Sequence, residues 1–121
     1  MSWIGWLILA CVVAAFLVVR RVGQISKKTA REYLAQGALV IDVRSNAEFQ
    51  AKHLRSAIHI PLNEMESLAP RRARDKDQVL LLHCQSGSRS AAARRKLAQM
   101  GYTRPFNLGS YRRAARIVEG K

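Results

Sequence analysis

Cys84 and Arg89 are the residues whose types and spacing best suit chemistry on a sulfur atom or an anion. They lie in a polar loop between an apolar stretch, residues 79–82, and an alanine-rich stretch that ends at Gly101. The apolar stretch predicts a buried strand and the alanine-rich stretch predicts a helix. A loop that joins a strand to a helix directs backbone N–H groups and the positive end of the helix dipole at one place. We expect the Cys84 sulfur at that place, as a nucleophilic thiolate.

The rest of the loop supplies groups that can bind an anion. Arg89 carries a fixed positive charge on a planar fork, and the loop hydroxyls and amides can donate hydrogen bonds. The predicted anion-binding residues are Gln85, Ser86, Gly87, Ser88, Arg89 and Ser90. His83 precedes the nucleophile and could influence it. Because neighbouring residues of a strand point to opposite faces, however, we expect its ring on the other side of the sheet.

The loop sequence CQSGSRS resembles the active-site loop of the rhodanese-type sulfurtransferases. Residues 42–61 are similar to the N-terminal signature of that family, and residues 106–109 are similar to the start of its closing signature. The resemblance covers about residues 22–118. It implies an α/β fold with a five-stranded parallel sheet and helices on both faces. It also implies that Asp42 and Arg44 support the fold beside the loop. Two features depart from the closing signature of the family: Ser110 stands where a glycine is usual, and residues 111–117 lack the usual tryptophan. Both departures bear on how the last helix packs.

The activity implied by the resemblance is sulfur transfer. A sulfane sulfur would pass from thiosulfate or a persulfide donor to a thiol or cyanide through a persulfide on Cys84, with no cofactor and no metal. An alternative is a non-catalytic or redox-sensing module of the same shape. A phosphatase would place its arginine one residue later, where Ser90 stands, and an arsenate reductase needs a resolving thiol that Cys11 is poorly placed to supply.

The first nineteen residues contain no charged side chain, and this predicts a membrane anchor. Residues 3–19 are apolar throughout, with Trp3 and Trp6 at one end and Arg20 and Arg21 beyond the other. Such a segment is long enough, if barely, for a transmembrane helix, and the aromatic and basic ends suit the interfaces. We therefore predict an anchor over residues 1–22, with the membrane contacted by residues 3–22, and a rhodanese-like domain over residues 23–121. Because basic residues follow the anchor, the domain is expected on the cytoplasmic side of the inner membrane.

Strand and helix patterns alternate through the remaining chain, which is typical of a parallel sheet covered by helices. Helices are predicted after N-caps at Ser26 and Ser110, and a capping box is formed by Ser45 and Glu48. Strands are predicted at 38–42, 57–60, 79–82 and 105–108, one or two helical turns at 64–68, and a loop at 70–77.

The chain of 121 residues has a formal net charge of +13, carried entirely by the part after the apolar segment. This charge suits a solvated surface, an anionic membrane leaflet or small anionic substrates. Nucleic-acid binding is not favoured, since no aromatic stacking platform alternates with the basic residues. The predicted partners are thus a small anionic sulfur donor, a thiol acceptor and a membrane; the sequence does not fix an oligomeric state.

Overall fold

Four short parallel strands form the sheet that carries the polar loop. The computed structural model describes residues 2–19, 21 and 23–120. The strands are β1 (Leu39–Asp42), β2 (Ile58–His59), β3 (Leu80–His83) and β4 (Pro105–Gly109), in the order β2-β1-β3-β4. The helices are α1 (Trp3–Val19), α2 (Lys27–Ala35), α3 (Asn46–Ala51), α4 (Met65–Arg72), α5 (Ser88–Gln99) and α6 (Tyr111–Glu119), with a 3-10 turn at Leu62–Glu64 before α4.

Helices cover both faces of the sheet, because each central strand is apolar along its length. The parallel arrangement buries β3 on both sides, and all four of its residues are inaccessible to solvent. Leu80 and Leu82 pack with residues of α4 and α5 on one face. Leu81 packs with residues of α2 and α6 on the other face. The prediction of an α/β fold with flanking helices is confirmed.

The resemblance implies five strands, but beside the four strands the described part of the chain adds a single bridge at the β4 edge of the sheet. Gln24 forms an isolated parallel bridge with Asn107 of β4, supported by hydrogen bonds from the N–H of Asn107 to the Gly23 carbonyl and from the N–H of Ile25 to the Asn107 carbonyl. The segment cannot extend further, because Ser26 caps α2 directly after it and Gly23 turns the chain with φ of 70°. The sheet therefore has four strands rather than five.

The helix starts follow the predicted caps. The hydroxyls of Ser26 and Ser110 accept from the N–H groups of Thr29 and Arg113, and Ser45 and Glu48 form a capping box. These predictions are confirmed.

The predicted loop at 70–77 is wrong at its start, because α4 continues through Pro70 to Arg72. The extension is held from the core: Ala69 and Ala73 are buried, and the Tyr102 hydroxyl donates to the Ala73 carbonyl at 2.7 Å. Packing therefore extends the helix beyond the residue at which the sequence predicts its end.

The N-terminal segment forms a helix of 17 residues, α1, none of which is buried. Among the residues that the structure describes, no helix combines the length and apolar character required to cross a membrane. The prediction of a transmembrane helix is therefore not supported. A helix of 17 residues rises about 25 Å, less than a hydrocarbon core of about 30 Å. Arg20 and Val22 of the predicted anchor lie outside the described residues, as does the predicted boundary at residue 22.

Candidate active site

Cys84 is the first residue after β3, at the carboxyl end of the sheet. Its side chain is buried in the hydrophobic cluster that contains Leu80 and Leu82, and its N–H donates to the Gly109 carbonyl at 3.3 Å. Sites of open α/β sheets lie at the carboxyl ends of the strands. The two described cysteines are both free, and Cys11 lies far away in sequence on exposed α1. The structure thus places one buried thiol where a parallel sheet usually binds its ligands.

The Cys84 sulfur is contacted by the loop that follows it. The N–H of Gly87 donates to Sγ at 3.0 Å, and Gly87 has φ of 100° and directly precedes α5. A residue with a side chain is strained at that φ, so glycine allows the loop to turn its N–H back onto the sulfur. The loop ends at the N-terminus of α5, where further N–H groups lack helical acceptors.

Ser90 lies on the other side of the same sulfur, in the first turn of α5. Its hydroxyl is buried, 3.5 Å from Cys84 Sγ, 3.1 Å from the Gly87 carbonyl and 2.7 Å from Asn107 Oδ1. A hydroxyl has one proton to donate, so these three acceptors compete for it. The shortest contact is the one to Asn107.

Asn107 is a buried polar residue of β4 that connects the strand to the loop. Its Oδ1 also accepts from the N–H of Gly109 at 2.9 Å, and its Nδ2 donates to the Gly87 carbonyl at 3.2 Å. One amide thereby holds both Gly87 and Ser90, the two groups that face the sulfur.

The remaining small loop residues turn towards the surface and towards each other. The hydroxyls of Ser86 and Ser88 lie 3.2 Å apart, and both residues are half-buried. Gln85 is exposed; its Oε1 lies 3.5 Å from a nitrogen of Arg44, and its carbonyl accepts from the N–H of Tyr111 at 3.3 Å. Of the predicted loop residues, Gly87 and Ser90 make hydrogen-bond contacts with the sulfur.

Arg89 is engaged by a carboxylate on a neighbouring helix. Its two terminal nitrogens donate to the two oxygens of Glu48 at 2.6 and 3.0 Å. The hydrogen bonds from Arg89, opposed by burial, lower the pKa of Glu48 to about 2. The same carboxylate accepts from the N–H and the hydroxyl of Ser45 in the capping box. The guanidinium predicted to bind a substrate anion therefore has an internal anion as its partner.

Asp42 and Arg44 form a buried ion pair beside the loop. Arg44 donates from Nη2 to Asp42 Oδ2 at 2.8 Å and from its backbone N–H to Oδ1 at 2.9 Å, and Asp42 is completely buried. Arg44 Nη2 also donates to the Lys52 carbonyl at 2.6 Å, and the guanidinium lies 4.6 Å from the centre of the Tyr111 ring. These contacts join the ends of β1, α3 and α6, as expected of a supporting pair.

His83 lies beside Asp42 rather than beside the sulfur. Its Nε2 is 3.9 Å from Asp42 Oδ2, and its ring meets the Tyr111 ring edge-on at 5.8 Å. The ring is completely buried, and within the described part of the chain neither ring nitrogen has a hydrogen-bond partner. Burial lowers the pKa of His83 below its usual value, outweighing the attraction of Asp42, which raises it. The imidazole is thus a neutral core group.

Three residues that contribute to the site were not predicted as site residues: Glu48, Asn107 and Tyr111. Glu48 gave a signal as a capping residue and as part of the N-terminal signature, but not as the partner of Arg89, which is 41 positions away. Asn107 gave a usable signal, because an amide within the apolar strand PFNLG must find buried partners. Tyr111 gave no signal, since an aromatic residue at the start of a helix is as common in a core as at a site.

Comparisons with known proteins identify the family to which the chain belongs. The model of the rhodanese-like domain family matches residues 26–113. The thiosulfate sulfurtransferase PspE of Escherichia coli is 36% identical over 69 residues, which cover 57% of this chain and 66% of that enzyme. The chain thus spans slightly less than two thirds of the length of PspE. A sulfurtransferase of Allochromatium vinosum is 32% identical over 91 residues, covering 72% of this chain and 81% of that protein.

The solved structure of the human single-domain sulfurtransferase TSTD1 superposes on the chain with a TM-score of 0.64 at 30% identity, covering 78% of this chain and 96% of that one. The family model covers well over half of the chain and includes the Cys84 loop. This chain belongs to the rhodanese-like domain family and is a distant relative of the thiosulfate sulfurtransferases.

Proposed function

We propose that the protein is a sulfurtransferase that moves a sulfane sulfur from thiosulfate or a persulfide donor to a thiol or cyanide acceptor. The observation that carries the proposal is the environment of Cys84 Sγ, which receives the N–H of Gly87 at 3.0 Å and faces the Ser90 hydroxyl at 3.5 Å. Hydrogen-bond donors aimed at a sulfur stabilise negative charge on it. Negative charge resides on that sulfur as a thiolate before the reaction and on the terminal sulfur of a persulfide after it.

The reaction proceeds in two displacements at sulfur. The Cys84 thiolate attacks the outer sulfur of thiosulfate, the S–S bond of the donor breaks, and sulfite leaves with the electron pair. With the persulfide of a thiol as donor, the leaving group is the thiolate of the carrier. In the second step the acceptor attacks the terminal sulfur of the Cys84 persulfide, and the thiolate is regenerated. A thiol becomes a persulfide and cyanide becomes thiocyanate, so ping-pong kinetics are expected.

The proposed roles follow from the contacts. Cys84 is the nucleophile, and Gly87 and Ser90 stabilise charge on its sulfur. Gln85, Ser86, Ser88 and Arg89 form the rim of the loop, at which a departing oxyanion binds. Asp42 and Arg44 hold the ends of the strands in position.

Intact-mass measurement after incubation with thiosulfate tests the proposal. The wild-type protein should gain one sulfur, about 32 Da, and lose it on addition of cyanide. Cys84→Ala should show no gain, whereas the matched control Cys11→Ala should behave as wild type. An unmodified wild-type protein at every pH between about 6 and 9, or an equal gain by Cys84→Ala, would refute the assignment.

We also propose that α1 attaches the domain to the inner membrane, with the domain on the cytoplasmic side. The support is that α1 has no buried residue and that its large apolar side chains, from Trp3 to Val19, are 43–71% exposed. Exposed apolar surface of this extent is characteristic of a membrane or protein contact. Arg21, Lys27 and Lys28 follow α1, and basic residues favour the cytoplasmic side.

A further inference from the structure

The pairing of Arg89 with Glu48 changes what the loop offers to a substrate. The two guanidinium–carboxylate hydrogen bonds of 2.6 and 3.0 Å are bidentate, the geometry in which an arginine would otherwise bind an oxyanion. Glu48 is itself held from behind by Ser45, whose N–H and hydroxyl lie 3.1 and 2.9 Å from Oε1. The carboxylate thus occupies the two guanidinium nitrogens that Arg89 would otherwise offer to an oxyanion.

The charges around the loop are balanced locally, in contrast to the net charge of +13 for the chain. Glu48 remains ionised at physiological pH, since its pKa is lowered to about 2. Arg44, the other guanidinium near the loop, is paired with the buried carboxylate of Asp42. An anion that approaches Arg89 therefore also meets a fixed negative charge, and the repulsion grows with the charge of the anion.

The groups that face the sulfur itself are neutral. They are the N–H of Gly87 and the hydroxyl of Ser90, and they favour negative charge on any attached sulfur regardless of its carrier. Beside the loop lies a cavity of about 360 Å³, which is lined by the basic residues Arg44, Arg89 and Lys96 and by the apolar residues Val43, Pro61 and Leu62. Walls of mixed character suit an organic carrier better than a bare inorganic anion.

We propose that Glu48 is a specificity-determining residue that disfavours dianionic thiosulfate and favours donors whose sulfane sulfur is carried by a thiol. This inference rests on the proposed sulfurtransferase function and selects between its two donor classes. In the favoured reaction the Cys84 thiolate attacks the terminal sulfur of R–S–S–H. The bond between the two donor sulfurs breaks, the carrier leaves as R–S⁻ and takes a proton from water, and Cys84 holds the sulfur as a persulfide.

Glu48→Gln tests the proposal, since it removes the charge while an amide oxygen can still complete the capping box. The rate of sulfur loading of Cys84, expressed as kcat/KM, is measured with thiosulfate and with the persulfide of N-acetylcysteine methyl ester, an uncharged carrier. We expect Glu48→Gln to raise the value for thiosulfate by roughly tenfold, as removal of one close negative charge should for a dianion. The value for the organic persulfide should stay within about twofold of wild type.

Two further variants separate this effect from others. Glu32→Gln removes the same charge from an exposed position of α2, which packs on the opposite face of the sheet, and should change neither donor by more than about twofold. In the double variant Glu48→Gln with Arg89→Gln, the gain with thiosulfate should disappear, because Arg89 is the group that Glu48 neutralises.

The results separate a failure of the role proposed for Glu48 from a failure of the proposed sulfurtransferase function. An equal rise for both donors, no rise for thiosulfate, a loss with both donors, a gain in Glu32→Gln of the same size, or a gain that survives in the double variant would each overturn the role of Glu48. If wild-type Cys84 accepts sulfur from either donor in those experiments, the proposed function stands and only the donor preference fails. If it accepts sulfur from neither, the proposed function fails and the preference falls with it.

Discussion

Asn107 is the residue through which the sheet controls the geometry around the sulfur. Its buried amide accepts from Ser90 and the N–H of Gly109 and donates to the Gly87 carbonyl. Asn107→Leu keeps the size of the side chain but removes these buried hydrogen bonds, including the one that the N–H of Gly109 donates, so we expect a loss of about 1–3 kcal/mol in the free energy of unfolding. Asn107→Asp keeps the acceptor and loses the donor to Gly87. It should lower kcat by about tenfold or more through misplacement of the Gly87 N–H.

Urea unfolding and the steady-state rate of thiocyanate formation measure these effects separately. Asn46→Asp, the same change at an exposed position of α3, serves as the control and should leave kcat near the wild-type value. A purely structural role for Asn107 would be indicated if Asn107→Asp lost stability while the folded fraction kept full kcat.

At the residue scale, the sequence predicts which residues lie in the loop but not how each is used. Cys84 and Gly87 could be assigned because their roles depend on the local strand–loop–helix order. The partner of Arg89 could not, since the chain between α3 and α5 decides which carboxylate reaches the guanidinium. His83 was expected to point away from the sulfur, by the alternation of a strand, and its contacts with Asp42 and Tyr111 lie on that other side.

At the element scale, local signals predicted the caps and the four strands, whereas the count of five strands came from the family resemblance. A cap depends on a side chain and a backbone N–H three positions away, so Ser45 and Glu48 suffice to define it. A strand at a sheet edge depends on how much chain remains after the flanking elements have formed. Here Gly23 and the Ser26 cap leave room for one bridge at Gln24, which no local pattern reveals.

The proposed membrane attachment belongs to one element, α1, and can be tested there. Leu9→Asp combined with Val13→Asp places two carboxylates one turn apart on the apolar surface of the helix, and each charge opposes the transfer of that surface from water to the membrane. We expect the wild-type protein to sediment with the membrane fraction and the double variant to move to the supernatant.

Gln50→Asp combined with Gln99→Asp adds the same charge at exposed positions of α3 and α5 and should remain with the membranes. Recovery of the wild-type protein in the supernatant would rule out attachment by α1.

At the scale of the whole molecule, the net charge is strongly positive, yet the positive and negative charges beside the Cys84 loop nearly cancel. The chain carries 21 Lys and Arg against 8 Asp and Glu, and two of those eight carboxylates, Asp42 and Glu48, engage guanidiniums beside the Cys84 loop. The excess therefore lies on the outer surface, where it is solvated and screened by salt. The surface charges therefore govern the long-range attraction of anions, whereas the paired charges beside Cys84 govern the selection among anions at the site.

Acid stability is the property of the whole molecule that depends most directly on its buried charges. His83 is neutral in the folded protein, since burial lowers its pKa, while it titrates near 6.5 in the unfolded chain. Below that pH the unfolded state binds more protons than the folded state, so the free energy of unfolding falls as pH decreases, by at most about 1.4 kcal/mol per pH unit. Glu48 adds a smaller loss, because its side chain is about one third exposed and its charge is screened by solvent, and this loss occurs only below its ordinary pKa of 4.5, as pH falls towards about 2.

Because His83 and Glu48 change the free energy of unfolding in different pH ranges, urea unfolding between pH 7 and 5 measures the contribution of His83 without that of Glu48. Wild-type stability should decline across this range, whereas His83→Phe, which keeps an aromatic ring against Tyr111, should give a flatter profile. If His83→Phe and the wild-type protein declined in parallel, the titration would belong to another group, and the buried imidazole beside Asp42 would have to be protonated in the folded state.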